Sequence, residues 1–267
     1  MMLRRKRITE IAAVILAVGL CIGAEADEAE AVNYDWATED FLTEDEALRY
    51  EGEGYASPEE AVLAYLEAFR DKDIKRMLST FAIETLMDHF QFDTYIERMS
   101  MFNPLFYYLP GDSEYTKAVN IESRRAHLAI YIGYAYGSLY APDYDWSKTE
   151  ALKGRTAQEF VDDYFRDEDF MDKIELTGEF IDPVQAFPHY AGESIQRSIA
   201  IQSKEYEPDE IQDRIAVLKI DGVEYIQCMS TIRYGDKWYN LNLSGYIGSV
   251  LGLYATRGGL APREMIQ

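Results

Sequence analysis

The sequence predicts an α+β protein with helices at its start, a helical tyrosine-rich insertion in its middle and an antiparallel sheet at its end. Three observations carry that prediction. Residues 57–82 read SPEEAVLAYLEAFRDKDIKRMLSTFA, two short amphipathic phrases broken at Asp71-Lys72-Asp73. Residues 211–243 hold three runs of alternating apolar residues separated by Asp221-Gly222 and Gly235-Asp236. Between them, residues from about 84 to 175 follow helical more than strand spacing. A sheet with one apolar face needs a helical cover, and the opening pair is placed to supply it.

The first element is a leader. Arg4-Arg5-Lys6-Arg7 precedes an apolar run from Ile11 to Ile22, and Ala24-Glu25-Ala26 offers the small residues that a signal peptidase reads. That run is short of the ~20 apolar residues a membrane span requires. Residues 1–26 are therefore expected to be a signal peptide, making the chain secreted or extracytoplasmic in the cell envelope. Retention of the leader as an anchor is the alternative, and the one route to a membrane. Without the leader Cys228 is the single cysteine, so no internal disulfide is expected.

Charge narrows the partners. The chain carries a net charge of −22, and loss of four basic and two acidic leader residues takes it to −24. Such a surface repels phosphate backbones, which argues against nucleic acid. Residues 27–53 concentrate eleven acids against one base, Arg49, and read as an extended spacer. Trp36 and Phe41 within it are candidates for docking a partner.

Order is expected from residue 54. Ser57, Pro58 and Glu60 form a capping box with proline at the first helical position. Val62, Tyr65, Leu66 and Phe69 then share one face. Asp73 caps a second helix whose apolar face is Ile74, Met77, Leu78 and Phe81. Further helices are predicted at 93–101, at 121–140 ending before Pro142, after the capping box Thr156/Glu159, and at 193–203. Ile174, Leu176 and Phe180 alternate as a strand. In the final meander Asp-Gly suits a type I′ turn and Gly-Asp a type II′ turn. Counting from those turns puts Ile215, Val217, Ile226, Cys228, Ile232, Tyr239, Leu241 and Leu243 on the core face. Arg233 falls opposite Trp238, a cation–π pairing. The folded domain is expected over 54–254, with the insertion at about 84–175 and a tail at 255–267.

The phrase AYLEAFRDKDIKRMLSTFA, with Tyr65, Ala68, Asp73, Met77 and Phe81, and the closing GDKWY strand resemble the nuclear transport factor 2-like superfamily. This is the cystatin-like cone of ketosteroid isomerases and polyketide cyclases. The resemblance covers about a third of the chain and implies a cone-shaped, curved antiparallel sheet packed on the helix pair. It also implies that Tyr65 stands where ketosteroid isomerases carry an oxyanion-binding tyrosine, and His89 where they carry the general base. Members of that superfamily include enzymes and non-catalytic binding domains alike.

Each candidate has a plainer reading beside the chemical one. Tyr65 suits a core tyrosine as well as a hydrogen-bond donor. His89 suits a surface histidine as well as a base. His127 and His189 lie far from it in sequence, in no metal-ligating pattern, so neither a metal nor another cofactor is expected. The tyrosines of 131–144 and Trp146 suit either sugar stacking or packing. The favoured expectation is a binding domain whose pocket, between helix pair and sheet, is lined by Tyr65, Phe69, Phe81, Ile226, Cys228, Ser230 and Tyr239. Its ligand would be a small molecule, peptide or glycan. The alternatives are an isomerase, cyclase or hydratase using Tyr65 and His89, or an envelope scaffold dimerising through the sheet face of Tyr225, Met229 and Trp238.

Overall fold

The computed structural model of the chain describes residues 49–100, 108–142, 144–145, 151–252 and 258–266. The leader, the spacer to residue 48 with Trp36 and Phe41, and Trp146 lie outside the described residues.

The helix pair forms as its caps require. Helix α1 spans Pro58–Arg70, with Ser57 accepting from the Glu60 amide and proline at the first position. Glu60 returns the bond to the Ala56 amide at 3.1 Å. Lys72, at φ 58°, makes the break, and Asp73 then caps α2, Ile74–Ser79. Val62, Tyr65, Leu66, Phe69, Met77 and Leu78 are buried, whereas Ile74, assigned to the apolar face, is 50% exposed. It sits in the first turn of a six-residue helix, outside the reach of the core.

The insertion holds α3 (Glu84–Asp88), α4 (Phe92–Met99), α5 (Glu114–Tyr140) and α6 (Ala157–Tyr164). Helix α5, 27 residues long and capped by Ser113, packs against α2, α3 and the last long strand. Thr156 and Glu159 form the expected capping box of α6. Strand β1 (Ile174–Ile181) follows, then α7 (Glu193–Tyr206), β2 (Glu210–Ile220), β3 (Val223–Tyr234), β4 (Lys237–Leu243), α8 (Gly245–Val250) and β5 (Leu260–Pro262). The fold is α+β, an antiparallel sheet in the order β1-β2-β3-β4 with β5 also paired to β3.

The turns set the expected register. Asp221 and Gly222 both have positive φ, as a type I′ turn demands, and Lys219 faces Glu224. Arg233 faces Trp238 with its guanidinium 5.6 Å from the ring. The face assignment, however, is corrected. A bulge makes Ser230 face Asn242 while Thr231 faces Asn240, leaving Leu241 as an extra residue.

The helix pair also covers the opposite face from the one expected. Ala216, Leu218, Met229 and Leu243 join Val62, Tyr65, Leu66 and Phe81 in one core cluster. Ile215, Val217, Ile226 and Cys228 pack instead with Tyr190, Ile247 and Ala261. The sheet is buried on both sides, so alternation cannot say which side α1 takes. Each large apolar side chain so enclosed contributes roughly 1.5–3 kcal/mol. Polar residues on the α1 side are bonded inward: Asn240 Nδ2 donates to the Ala61 carbonyl at 2.8 Å and to Thr80 Oγ1 at 3.0 Å. Met229 and Trp238 are 0% and 7% exposed, so the sheet face proposed for dimerisation is covered by the chain itself.

Residues 49–55, the end of the acidic stretch and its sequel, join this body. Glu51 is buried and accepts from the Ile83 amide at 2.7 Å and the Thr85 amide at 3.0 Å, closing the start of α3. Glu84 answers by accepting from the Tyr50 and Glu51 amides.

Candidate functional site

The seven residues expected to line one pocket are dispersed. Tyr65, Phe69 and Phe81 lie in the α1-side cluster, Ile226 and Cys228 in the cluster on the other face, and Tyr239 in a third with Ile232 and Leu241. Ser230 alone among them lines a large cavity. The physical cause is the two-sided burial of the sheet, which sends adjacent strand positions into separate cores.

The interior between α1 and the sheet is filled. Tyr65 is fully buried, packed edge-on to Phe81 with centroids 5.7 Å apart and tilted to Phe69 at 6.0 Å. Its hydroxyl has no hydrogen-bond partner, and burial raises its pKa. His89 stacks on Tyr234 at 4.7 Å, beside the third cluster. The pairing of Tyr65 with His89 as donor and base is thus not assembled, because the two side chains occupy different packing regions. Tyr65→Phe removes a buried hydroxyl that bonds to nothing, and is expected to stabilise the fold by about 1 kcal/mol. Urea unfolding of both proteins checks the sign.

A cavity of about 480 Å³ opens elsewhere, at the sheet edge where β4 ends. There the neighbour of β3 changes: Ser244 N donates to the Cys228 carbonyl at 2.9 Å, and Cys228 N donates to the Gly259 carbonyl at 2.8 Å. The chain between those contacts departs into α8. Gly245, at φ 60°, makes the departure possible, since a Cβ there would stand 2.8 Å from Asp213 Oδ1 and Ser230 Oγ. Around this gap α4 supplies Tyr95 and Arg98, α5 supplies Arg124, His127 and Tyr131, and α7 supplies Gln202 and Tyr206. The sheet and α8 add Ser230, Asn242, Tyr246 and Ser249.

Two charged anchors hold its walls. Arg98 forks onto Glu205, Nε to Oε2 at 2.5 Å and Nη2 to Oε1 at 3.1 Å, and the Glu205 side chain is 0% exposed. Arg124 is 4% exposed. Its Nη1 donates to Asn242 Oδ1 at 3.0 Å and its Nη2 to the Leu241 carbonyl, while its Nε–H has no acceptor. Burial, then the charge of Arg124, lowers the His127 pKa, so its imidazole is neutral at neutral pH. Burial raises the Tyr246 phenol, with the charge of Asp213 adding to it. Tyr246 donates to the Ser198 carbonyl at 3.1 Å and also contacts Gln202 Oε1 at 3.0 Å.

Behind Ser230 lies Asp213, 2% exposed, which accepts from the Ser230 hydroxyl and from the Ile247 amide at 2.6 Å. Burial pushes its carboxyl up to about 6 against the pull of those donors. Among the described residues no group of three or more His, Cys, Asp or Glu is placed to hold a metal ion.

Arg124, Glu205 and Asp213 were missed as sequence candidates, yet Arg124 and Asp213 each left a signal. Arg124 is in phase with Asn120, Leu128, Ile132, Ala135 and Leu139, the buried stripe of α5. Asp213 alternates with Ile211, Ile215 and Val217 on β2. A charged residue in step with an apolar pattern marks a buried charge that needs a partner.

No family model matches the chain, and no curated protein matches it by sequence. Among solved structures the fold is similar to a cystatin-like protein from Ruminococcus gnavus, at a TM-score of 0.39 and 14% identity, over 68% of this chain and 39% of that one.

Proposed function

We propose that the chain is a binding domain, acting outside the cytoplasm after export by its leader, that holds a small molecule in the cavity at the sheet edge. The observation that carries this reading is the cavity itself. Its volume of about 480 Å³ falls within the ~300–1,000 Å³ range of small-molecule sites. Polar groups from four helices and two strands converge on it over aromatic walls. A long glycan or peptide fits an open groove better than such a gap. The isomerase-type reading has no support in the setting of Tyr65, whose hydroxyl is enclosed by apolar side chains.

The test is thermal unfolding of the full chain with a panel of small molecules and short glycans, repeated on Ser249→Trp. Ser249 is exposed and lines the cavity, so an indole there obstructs it without entering the core. Hits are expected to raise the Tm of the native chain and leave that of Ser249→Trp unmoved. Hits that stabilise both proteins equally would place binding elsewhere and overturn the reading.

A further inference from the structure

We propose that the ligand of this cavity is an acid, a flat-ringed small molecule whose carboxylate pairs with Arg124. The inference rests on the binding reading above and deepens it.

Charge is the first ground. The chain has 48 acidic residues among 267, yet none of the described residues lining the cavity is Asp or Glu. The lining carries two guanidinium groups, and the first, Arg98, is already neutralised by Glu205. His127 faces the same space as a neutral ring. Asp213, the other carboxyl close by, lies behind Ser230 and is satisfied by Ser230 and Ile247. Arg124 therefore remains, a buried cation with no carboxylate among the described residues to balance it.

Hydrogen bonding is the second ground. A guanidinium has five N–H donors. Those of Arg124 meet an amide oxygen, a backbone carbonyl and the Tyr108 hydroxyl, all neutral, and the Nε–H meets nothing. Buried charges in proteins are paired, and a planar fork fits a carboxylate on two donors. Arg124 lines the cavity, so an acid that enters it stands beside this unbalanced charge. Shape completes the specification. Tyr95, Tyr108, Tyr131, Tyr206 and Tyr246 line the same space. Aromatic walls favour a flat ring, which fits edge-on or offset against them.

The experiment compares two probes of one shape, benzoate and benzamide, titrated into the full chain by calorimetry. Benzoate is expected to bind about tenfold or more tightly, the worth of one charge-assisted pair. Arg124→Gln is expected to erase that preference while Arg124→Lys retains part of it. Should Arg124→Gln fail to fold, the Arg124 Nε–H resonance of the native chain decides: benzoate must shift it and benzamide must not. Equal binding of both probes overturns the acid while leaving the binding reading intact. Binding of neither at millimolar concentration overturns the acid too, and the Ser249→Trp comparison then judges the cavity separately.

Discussion

Arg98→Met is expected to destabilise the protein by about 3 kcal/mol, because it strands Glu205. The Glu205 side chain is 0% exposed, and its two oxygens are held by Arg98 Nε and Nη2. Removing one member of a buried pair leaves an uncompensated charge, at a cost of ~3–5 kcal/mol. The lower end applies here because the Arg98 side chain is 37% exposed, so water already shares part of its charge. The same logic predicts rescue. Glu205→Gln in the Arg98→Met background removes the stranded charge and is expected to restore about half of the loss. A double-mutant cycle by urea unfolding reads both numbers. Additive losses in the cycle would mean the pair contributes packing alone. The pair also ties α4 to α7 across the cavity, so the cycle reports on the rigidity of two of its walls.

Stability is also expected to depend on pH through Asp213. Its folded carboxyl lies at about 6 against an ordinary 3.8, because burial outweighs the donors around it. A raised carboxyl binds its proton more tightly in the folded state than in the unfolded chain. The stability it contributes is therefore complete below the unfolded value and is lost as pH rises through the folded one. A difference of about two units corresponds to about 3 kcal/mol at neutral pH. Asp213→Asn cannot ionise, so relative to it the native chain is expected to lose on the order of 3 kcal/mol between about pH 4 and pH 7. The burial of Glu51 raises its carboxyl as well, a contribution common to both proteins that cancels in the comparison. A constant difference across that window would mean that Asp213 titrates normally. Since Asp213 accepts from Ile247 N, its ionisation bears on the seat of α8 at the cavity rim.

The local elements were legible because their signals are local. The Ser57 cap, the Thr156 capping box, the Asp221-Gly222 turn and the Arg233–Trp238 pairing each follow from residues within a few positions of one another. What needed distant information was not. Which side of the sheet α1 would cover was hidden, because both sides present apolar rows, one ending in Met229 and the other in Cys228. The Leu241 bulge added an offset that no count from the turn includes. The site fared worse for the same reason. It is assembled from α4, α5, α7 and the end of β4, segments that sequence spacing does not relate. The family resemblance directed attention to Tyr65, whose filled surroundings it does not describe. Arg124 was visible as a charge within an apolar stripe, and reading it as a wall of a cavity required knowing that β4 ends beside it.

The most direct measurement is a crystal structure of the full chain soaked with a library of small fragments that includes benzoate. Fragments are expected to occupy the sheet-edge cavity, with the acids among them against Arg124, and the interior around Tyr65 is expected to stay closed. Fragments lodged beside the Tyr65 hydroxyl, with the edge cavity empty, would contradict the assignment and return the pocket to the space between the helix pair and the sheet.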